Sequence, residues 1–213
     1  MSSARLLVVT AVPAERDALR AGCGNGVLTV AAVGVGPAAA AAGTARLLAL
    51  ADTPYRAVLS AGIGGGFRGR AEPGATVLAS VSIAADLGAD SPDGYLSLDE
   101  LGFGTTRAPV DPDLYAALRA ALPEAVPGAV LTVSTVTGTA PVAAALAQRH
   151  PDAVAEAMEG FGAATAAGQA GVPFAELRTI SNVVGPRDRT GWRIAEALAA
   201  LAEAGRVLGK LDW

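Results

Sequence analysis

The sequence contains few of the residues from which disulfides, metal sites and histidine-based active sites are built. Among its 213 residues there is one cysteine, Cys23, and one histidine, His150. A single cysteine excludes an intrachain disulfide and a cysteine metal cluster, and a single histidine excludes a multi-histidine metal site. His150 stands before Pro151 at a predicted helix end, where a charge that complements the helix dipole is favoured over a catalytic role.

Charged and aromatic residues are also sparse, at 17% and 4% of the chain. The net charge is −4 and Lys and Arg form no long run, so we predict no nucleic-acid partner, because contact with phosphates needs a basic face. Apolar stretches of membrane length are interrupted by charged or turn residues, and the first apolar run is too short for a signal peptide. We therefore expect a soluble, cytoplasmic protein without a membrane partner.

Hydrophobic residues make up 52% of the chain, and short apolar runs alternate with helix-like segments. Strands are predicted at 5–12, 26–36, 75–84, 129–138 and 175–184. Residues 55–67 are expected to be a strand that leads into a glycine-rich loop, and 153–171 to run from a strand into a helix. Helices are predicted to begin at Pro13 and Pro37 and to cover 111–123, with Asp111 as N-cap, 139–149 and 191–208. This alternation predicts one domain, residues 1–213, with an α/β, three-layer αβα fold around a central, twisted, mostly parallel sheet.

Ligands of open α/β sheets bind beyond the carboxyl ends of the strands. The residues predicted to lie there are Glu15, Gly62 to Gly66 with Ile63 among them, Thr137 to Thr139, Met158, Glu159, and Asn182 to Asp188. The glycines are followed by a turn and a strand instead of a helix, which argues against a dinucleotide loop. They are interpreted either as a tight turn between strands or as a loop that a ligand approaches closely.

Glu159 is a carboxylate in a run of small and apolar residues, where a buried charge is costly unless it is paired or used. A second interpretation is a glutamate at a helix N-terminus, stabilised by the helix dipole. Met158, taken alone, is more typical of a core. Asn182 at a strand end is, taken alone, typical of a turn.

Several segments together resemble the nucleoside phosphorylase and methylthioadenosine nucleosidase superfamily. They are TAVPAERDAL, GVGPAAAAAGTARLL, SAGIGGGF with PGATVLAS, TVTGTAPVAAALAQRHPDAVAEAMEGFG and LRTISNVVG, in the family's order and spacing. The ending SNVVGPRDRTGWRI is similar to that of the futalosine hydrolase branch, which releases hypoxanthine from futalosine in an alternative menaquinone pathway. The resemblance implies a nucleoside phosphorylase-like fold. It also implies a homodimer or higher homo-oligomer, because subunit pairing is usual in the relatives.

The same resemblance implies roles for individual residues. Glu15 matches the carboxylate that activates a water, Glu159 the one that holds the ribose 2′- and 3′-hydroxyls, and Met158 the residue under the sugar. Asn182 falls where adenine-cleaving relatives carry Asp. An amide NH₂ suits the position-6 carbonyl and N7 of hypoxanthine, because both atoms accept hydrogen bonds. We therefore predict catalytic roles for Glu15 and Asn182, without a metal or an organic cofactor.

Substrate binding is predicted for Met158, Glu159, Gly62, Ile63, Thr139 and Asp188, although Asp188 is also expected as a helix cap or ion-pair partner. Futalosine carries a carboxylate on its aromatic 5′ extension, and the candidate arginines are Arg68, Arg70, Arg187, Arg189 and Arg193. The segment 85–110 is expected to be a long loop, in which Phe103 is a candidate for stacking on the purine. Two alternatives stay open: a 6-oxopurine nucleoside phosphorylase, and a non-catalytic nucleoside-binding module.

Overall fold

The computed structural model describes residues 5–23 and 28–211. Its strands are β1 (Arg5–Thr10), β2 (Leu28–Ala32), β3 (Tyr55–Gly66), β4 (Thr76–Ala84), β5 (Gly88–Ser91), β6 (Gly94–Ser97), β7 (Arg107–Pro109), β8 (Val126–Thr132), β9 (Ala153–Ala157) and β10 (Phe174–Val183). Its helices are α1 (Pro13–Cys23), α2 (Pro37–Ala49), α3 (Pro112–Ala121), α4 (Ala140–Arg149), α5 (Gly160–Gln169) and α6 (Ile194–Leu208), with a short 3₁₀ helix at Arg189–Gly191.

Within the described residues, eight strands form one sheet in the order β10-β4-β8-β9-β3-β1-β2, with β7 paired to β4. Most of the pairs are parallel, and β10–β4, β3–β9 and β4–β7 are antiparallel. The predicted mixed, mostly parallel sheet is therefore confirmed. Because β10 also pairs with β3, the strands β3, β10, β4, β8 and β9 close into a ring, which an open sheet does not contain.

Strand β1 shows why helices cover both faces of the sheet. Leu6 and Val8 belong to the core cluster that contains residues of α1 and α6, whereas Leu7 and Val9 belong to the cluster that contains Ala163 of α5. Successive side chains of a strand point to opposite faces, so a continuous apolar run buries both. Helix α1 packs against α6, and α2 packs against α5. The three-layer arrangement is confirmed.

Several predicted boundaries are confirmed and others are wrong. Pro13 and Pro37 begin helices, and Asp111 caps α3 by accepting a hydrogen bond from the Leu114 N–H at 2.9 Å. The glycines 62–66 form neither a loop nor a turn, because they continue β3 and pair with β10 and β9. The glycine-rich segment that was expected to lie close to a ligand is therefore the end of strand β3.

The predicted long loop 85–110 is also corrected. It contains an antiparallel hairpin of β5 and β6 and the short strand β7 on the edge of β4. The last helix begins at Ile194 instead of residue 191, and the strand predicted at 129–138 covers Val126–Thr132. Residues 26 and 27 of the second predicted strand lie outside the described residues. No helix in the described segments has both the length and the apolar character needed to span a bilayer.

Candidate active site

A pocket of about 270 Å³ opens where β1, β3, β9 and β10 end. Five of the eight predicted site residues line it: Glu15, Ile63, Met158, Glu159 and Asn182. Thr137 and Arg187, which were also expected near the strand ends, line it as well, and the lining residues that were not predicted include Val35, Val136, Glu156, Ser181 and Trp192. The strand ends thus bring together side chains that are up to about 170 positions apart in the sequence.

Glu15 lies in the first turn of α1, with its carboxylate 3% exposed. Its Oε2 accepts hydrogen bonds from the N–H groups of Ala11 (2.9 Å) and Val12 (3.2 Å), and its Oε1 accepts one from the Ile63 N–H (2.9 Å). Burial raises the pKa of Glu15 above its ordinary value, although the Ile63 N–H and the charge of Arg178 oppose the rise. A fixed carboxylate with a raised pKa suits a general base.

Arg178 of β10 is a fully buried cation directly behind the pocket. Its Nη1 lies 3.2 Å from Glu159 Oε2, its Nε lies 2.9 Å from Glu176 Oε1, and its Nη2 donates to Ser60 Oγ at 2.9 Å. Burial lowers the pKa of Arg178, but the carboxylates of Glu176, Glu159 and Glu15 raise it more, so the pKa is raised overall. The arginine thus stays charged and balances the acidic residues around it.

Glu159 stands at the N-cap position of α5 but makes no side-chain cap to that helix. Instead, its Oε1 accepts from the Gly36 N–H at 3.3 Å, and its Oε2 accepts from Arg178 and from the Met158 N–H at 3.3 Å. The expected position at a helix N-terminus is confirmed, and the carboxylate is in addition paired with the buried Arg178. The carboxylate is only 6% exposed and lines the pocket, and Met158 lies beside it.

Gly62 does not line the pocket but lies against its charged wall. A Cβ atom at this position would lie 2.7 Å from Glu15 Oε1 and 2.9 Å from Arg178 Nη1. Such approaches are too close for a real side chain. Gly62 therefore gives Glu15 and Arg178 the space to face each other, and it serves the site indirectly.

Asn182 lies at the end of β10, and its side-chain amide is oriented by its neighbours. The Ser181 hydroxyl donates to Asn182 Oδ1 at 2.8 Å, and it also lies 3.2 Å from the Gly64 carbonyl. Asn182 Nδ2 donates one hydrogen to the Val183 carbonyl at 3.1 Å. Among the described residues, the second N–H of the amide makes no hydrogen bond, so it can donate to a ligand.

Glu156 is a further buried carboxylate among the lining residues, 5% exposed. The Thr137 N–H donates to its Oε1 at 2.8 Å, and the Thr137 hydroxyl donates to its Oε2. Burial raises the pKa of Glu156, although both hydrogen bonds from Thr137 oppose the rise.

The rim of the pocket is formed by the exposed turn between β10 and α6. Arg187 and Trp192 line the pocket, and the guanidinium carbon of Arg187 lies 5.6 Å from the centre of the Trp192 ring. Arg189 lies 5.3 Å from the same ring but does not line the pocket. Asp188 Oδ1 caps the 3₁₀ helix by accepting from the Thr190 N–H at 3.0 Å and from its hydroxyl at 2.6 Å.

Besides Gly62, two predicted substrate-binding residues, Asp188 and Thr139, lie outside this pocket. The structure uses Asp188 as a cap, one of the roles expected for it, and its bonds to Thr190 lower the pKa of Asp188, which disfavours proton donation. Thr139 is the exposed N-cap residue of α4 and lines a neighbouring cavity of about 720 Å³ that shares Val136 and Thr137 with the first. Phe103 is 79% exposed and lines neither.

His150 lies outside both cavities, at the C-cap of α4. Burial and the neighbouring Arg149 lower the pKa of His150, so the predicted charge at this helix end is absent at neutral pH. No group of three or more His, Cys, Asp and Glu side chains in the described part of the chain is arranged to hold a metal ion.

The chain is similar to known proteins over most of its length. Residues 8–212 match the model of the phosphorylase superfamily. The chain is 53% identical to a futalosine hydrolase from Streptomyces coelicolor, with 97% of this chain and 94% of that protein covered. It is 45% identical to a futalosine hydrolase from Acidothermus cellulolyticus, with 97% and 91% covered.

Among solved structures, the fold matches the 5′-methylthioadenosine/S-adenosylhomocysteine nucleosidase of Neisseria meningitidis in complex with methylthio-immucillin-A. The TM-score is 0.80 at 20% sequence identity, with 97% of this chain and 99% of that chain covered. The fold agrees with the family model, and the sequence agreement with the two relatives extends over nearly the whole chain. The protein therefore belongs to the phosphorylase superfamily and, within it, to the futalosine hydrolase family.

Proposed function

We propose that this protein hydrolyses the N-glycosidic bond of futalosine, releasing hypoxanthine and dehypoxanthine futalosine in menaquinone biosynthesis. The observation that carries the proposal is Glu15, a buried carboxylate with a raised pKa that lines the same pocket as Glu159 and Asn182. The similarity to two futalosine hydrolases over 97% of the chain supports the choice of substrate.

The proposed reaction displaces the purine by water. Glu15 takes a proton from the water, whose oxygen forms a bond to the anomeric carbon while the bond from that carbon to the purine nitrogen breaks. The bonding electron pair leaves with the purine, and the proton that Glu15 took from the water is passed on through solvent to the base, which leaves as neutral hypoxanthine and restores the Glu15 carboxylate. Charge that develops in the transition state is stabilised best by groups already fixed in place.

On the sugar side, Glu159 is proposed to contact the ribose, and Arg178 is proposed to hold Glu159 in position. The Glu159 carboxylate is placed to hold the ribose hydroxyls and to balance the positive charge that grows on the ring. Arg178 fixes that carboxylate through its Nη1 contact at 3.2 Å. Asn182 offers its free N–H to the leaving base.

The arginine positions favour hydrolysis over phosphorolysis. Arg70 donates to the carbonyls of His150, Ala153 and Ala147, and Arg68 does not line the pocket. Arg16, next to the proposed base, pairs with Asp17 at 2.8 Å. Arg178 is committed to carboxylates. A phosphate in place of water would thus meet few free cations beyond Arg187.

A non-catalytic binding module is disfavoured by Glu15 itself. Keeping a carboxylate buried with a raised pKa is costly, and a protein that only binds nucleosides has no use for a base at that position. The carboxylate of the 5′ extension is proposed to contact Arg187, because Arg193 is paired with Glu196 and Arg189 does not line the pocket.

We further propose a homo-oligomer in the cytoplasm, where a nucleoside intermediate of menaquinone synthesis would be processed. Apolar side chains beside the pocket mouth remain exposed in the single chain, among them Val35 at 54% and Val136 at 42%. Their burial by a second subunit would stabilise a dimer. Light scattering that gives a monomer would contradict this part of the proposal.

The deciding experiment incubates the purified protein with futalosine in phosphate-free buffer, with inosine and methylthioadenosine in parallel, and follows base release by chromatography. Hypoxanthine released without phosphate is the expected result. Release only after phosphate is added would move the protein to the phosphorylases, and no release under either condition would favour the binding module.

A further inference from the structure

Glu156 is a buried carboxylate of the pocket for which the proposed reaction has no role. It is separated from the sugar-side cluster: Glu15, Glu159 and Glu176 surround Arg178, whereas Glu156 is held by Thr137 alone among the hydrogen bonds described. A carboxylate kept out of water without a counter-ion is costly unless it serves the fold or a ligand.

The strand register places Glu156 opposite Asn182. In the sheet, Glu156 of β9 pairs with Gly65 of β3, and Gly65 pairs with Asn182 of β10. The three residues form one row across neighbouring strands, and both outer side chains line the pocket. Two strand spacings separate their Cα atoms by about 10 Å.

Gly65 leaves the middle of this row open. A Cβ atom there would lie 3.3 Å from Asn182 Nδ2 and 3.0 Å from a methyl group of Val184, so a side chain at this position would crowd the Asn182 amide. The row thus forms a flat slot with an amide at one side and a carboxylate at the other, which suits a planar base lying across the glycine.

We propose that Glu156 determines specificity for a 6-oxopurine by accepting a hydrogen bond from the N1–H of the base. The inference rests on the proposed function, in which Asn182 donates to the N7 and position-6 side. Hypoxanthine carries a proton at N1, whereas adenine has a lone pair there. Thr137 occupies one lone pair on each oxygen of Glu156, and a carboxylate oxygen has a second lone pair to offer the ligand.

The proposal also accounts for the rejection of adenine. With adenine in the slot, the N1 lone pair would face the carboxylate oxygens and both groups would lack a donor. An unpaired buried polar group costs enough to weaken binding about tenfold or more. Glu156 thus recognises N1 of the base, and Asn182 recognises the N7 and position-6 side.

The test measures inhibition constants of hypoxanthine, adenine and 1-methylhypoxanthine for the wild-type protein and for Glu156→Gln. We expect the wild type to prefer hypoxanthine over the other two bases by at least about tenfold. Glu156→Gln should reduce the preference for hypoxanthine over adenine about tenfold, because the glutamine NH₂ can donate a hydrogen bond to N1 of adenine. Glu124→Gln, the same change at an exposed site, is the matched control and should keep the preference.

The outcomes separate this inference from the proposed function. Wild-type protein that releases hypoxanthine from futalosine while Glu156→Gln keeps the wild-type preference would overturn the inference alone. Equal affinity of the wild type for hypoxanthine and 1-methylhypoxanthine would also overturn it, and that measurement needs no folded variant. Absence of futalosine cleavage by the wild type would instead contradict the proposed function.

Discussion

The floor of the pocket and its rim are built from opposite kinds of structure. The floor consists of strand ends and buried side chains, in which Arg178, Glu159 and Glu176 are joined by contacts of 2.9 to 3.2 Å. The rim is an exposed turn in which Arg187 stacks on Trp192. Fixed, water-excluded groups can stabilise a transition state, whereas exposed charges contribute modestly to binding. We infer that the floor carries the chemistry and the rim adjusts the choice of substrate.

The sharpest test of the floor is Glu15→Gln. The glutamine keeps the shape of the side chain but cannot take a proton, so kcat should fall about 10²–10⁴-fold, the usual contribution of a general base. Protonation of the base stops the reaction, so kcat/KM of the wild type should fall at acidic pH. Because the pKa of Glu15 is raised, the midpoint of this fall should lie above pH 4.5, the ordinary pKa of the carboxyl group. A near-wild-type rate, with an unchanged circular dichroism spectrum, would refute the assignment.

Arg178→Met tests whether the floor depends on its buried cation. The variant leaves Glu176 and Glu159 without their counter-ion, so the free energy of unfolding should fall by about 3–5 kcal/mol. Urea denaturation measures the loss. Arg206→Met is the control, since it removes an exposed pair with Glu203 and should change stability little. Equal losses in the two variants would argue against a special role for the buried network.

Asn182→Asp tests the base end of the floor. A protonated aspartic acid side chain can donate a hydrogen bond to N7 of adenine and accept one from the position-6 amine. The substrate preference should therefore move from the hypoxanthine nucleoside towards the adenine nucleoside by about 10–100-fold in kcat/KM. The comparison uses inosine and adenosine as a matched pair of substrates. An unchanged ratio would show that the base is selected elsewhere in the pocket.

The smallest effect is expected at the rim, from Arg187→Glu. Reversal of an exposed charge should raise KM for futalosine about threefold to tenfold and leave kcat nearly unchanged, because the contact is screened by solvent. Inosine, which lacks the carboxylate, should be affected less. Arg189→Glu is the matched control, since Arg189 stacks on the same Trp192 ring but does not line the pocket. Equal effects of the two reversals would point to general electrostatics.

The sequence predicted the alternation of strands and helices because apolar runs and prolines mark them locally. It mispredicted 62–66 because glycine has a low intrinsic preference for strands, and here tertiary pairing overrides that preference: β10 pairs along Gly62 to Gly66, and β9 pairs with the last two. The closure of the ring between β10 and β3 depends on long-range contacts that no short sequence window contains.

The site was predicted in part for a similar reason. Glu15, Glu159 and Asn182 were located from their positions beyond the strand ends and received their roles from the family resemblance, whereas Arg178 and Glu176 were missed. A signal for them existed: two charged residues at alternate positions of an apolar strand point to one face and must pair if that face is buried. Glu156 carried a weaker form of this signal, as a single charged residue in the otherwise apolar strand β9. Asp188 could not be placed from sequence, because a cap and a ligand contact need the same residue type.

Gly62 limits how this protein can evolve. It contains no functional group, yet its missing side chain is the gap across which Glu15 and Arg178 face each other. A change to alanine would place a methyl group against both Glu15 and Arg178, so the position should tolerate less substitution than many polar residues on the surface. In a mutational scan scored by growth that depends on the proposed pathway, we expect depletion at Gly62 to rival that at Glu15.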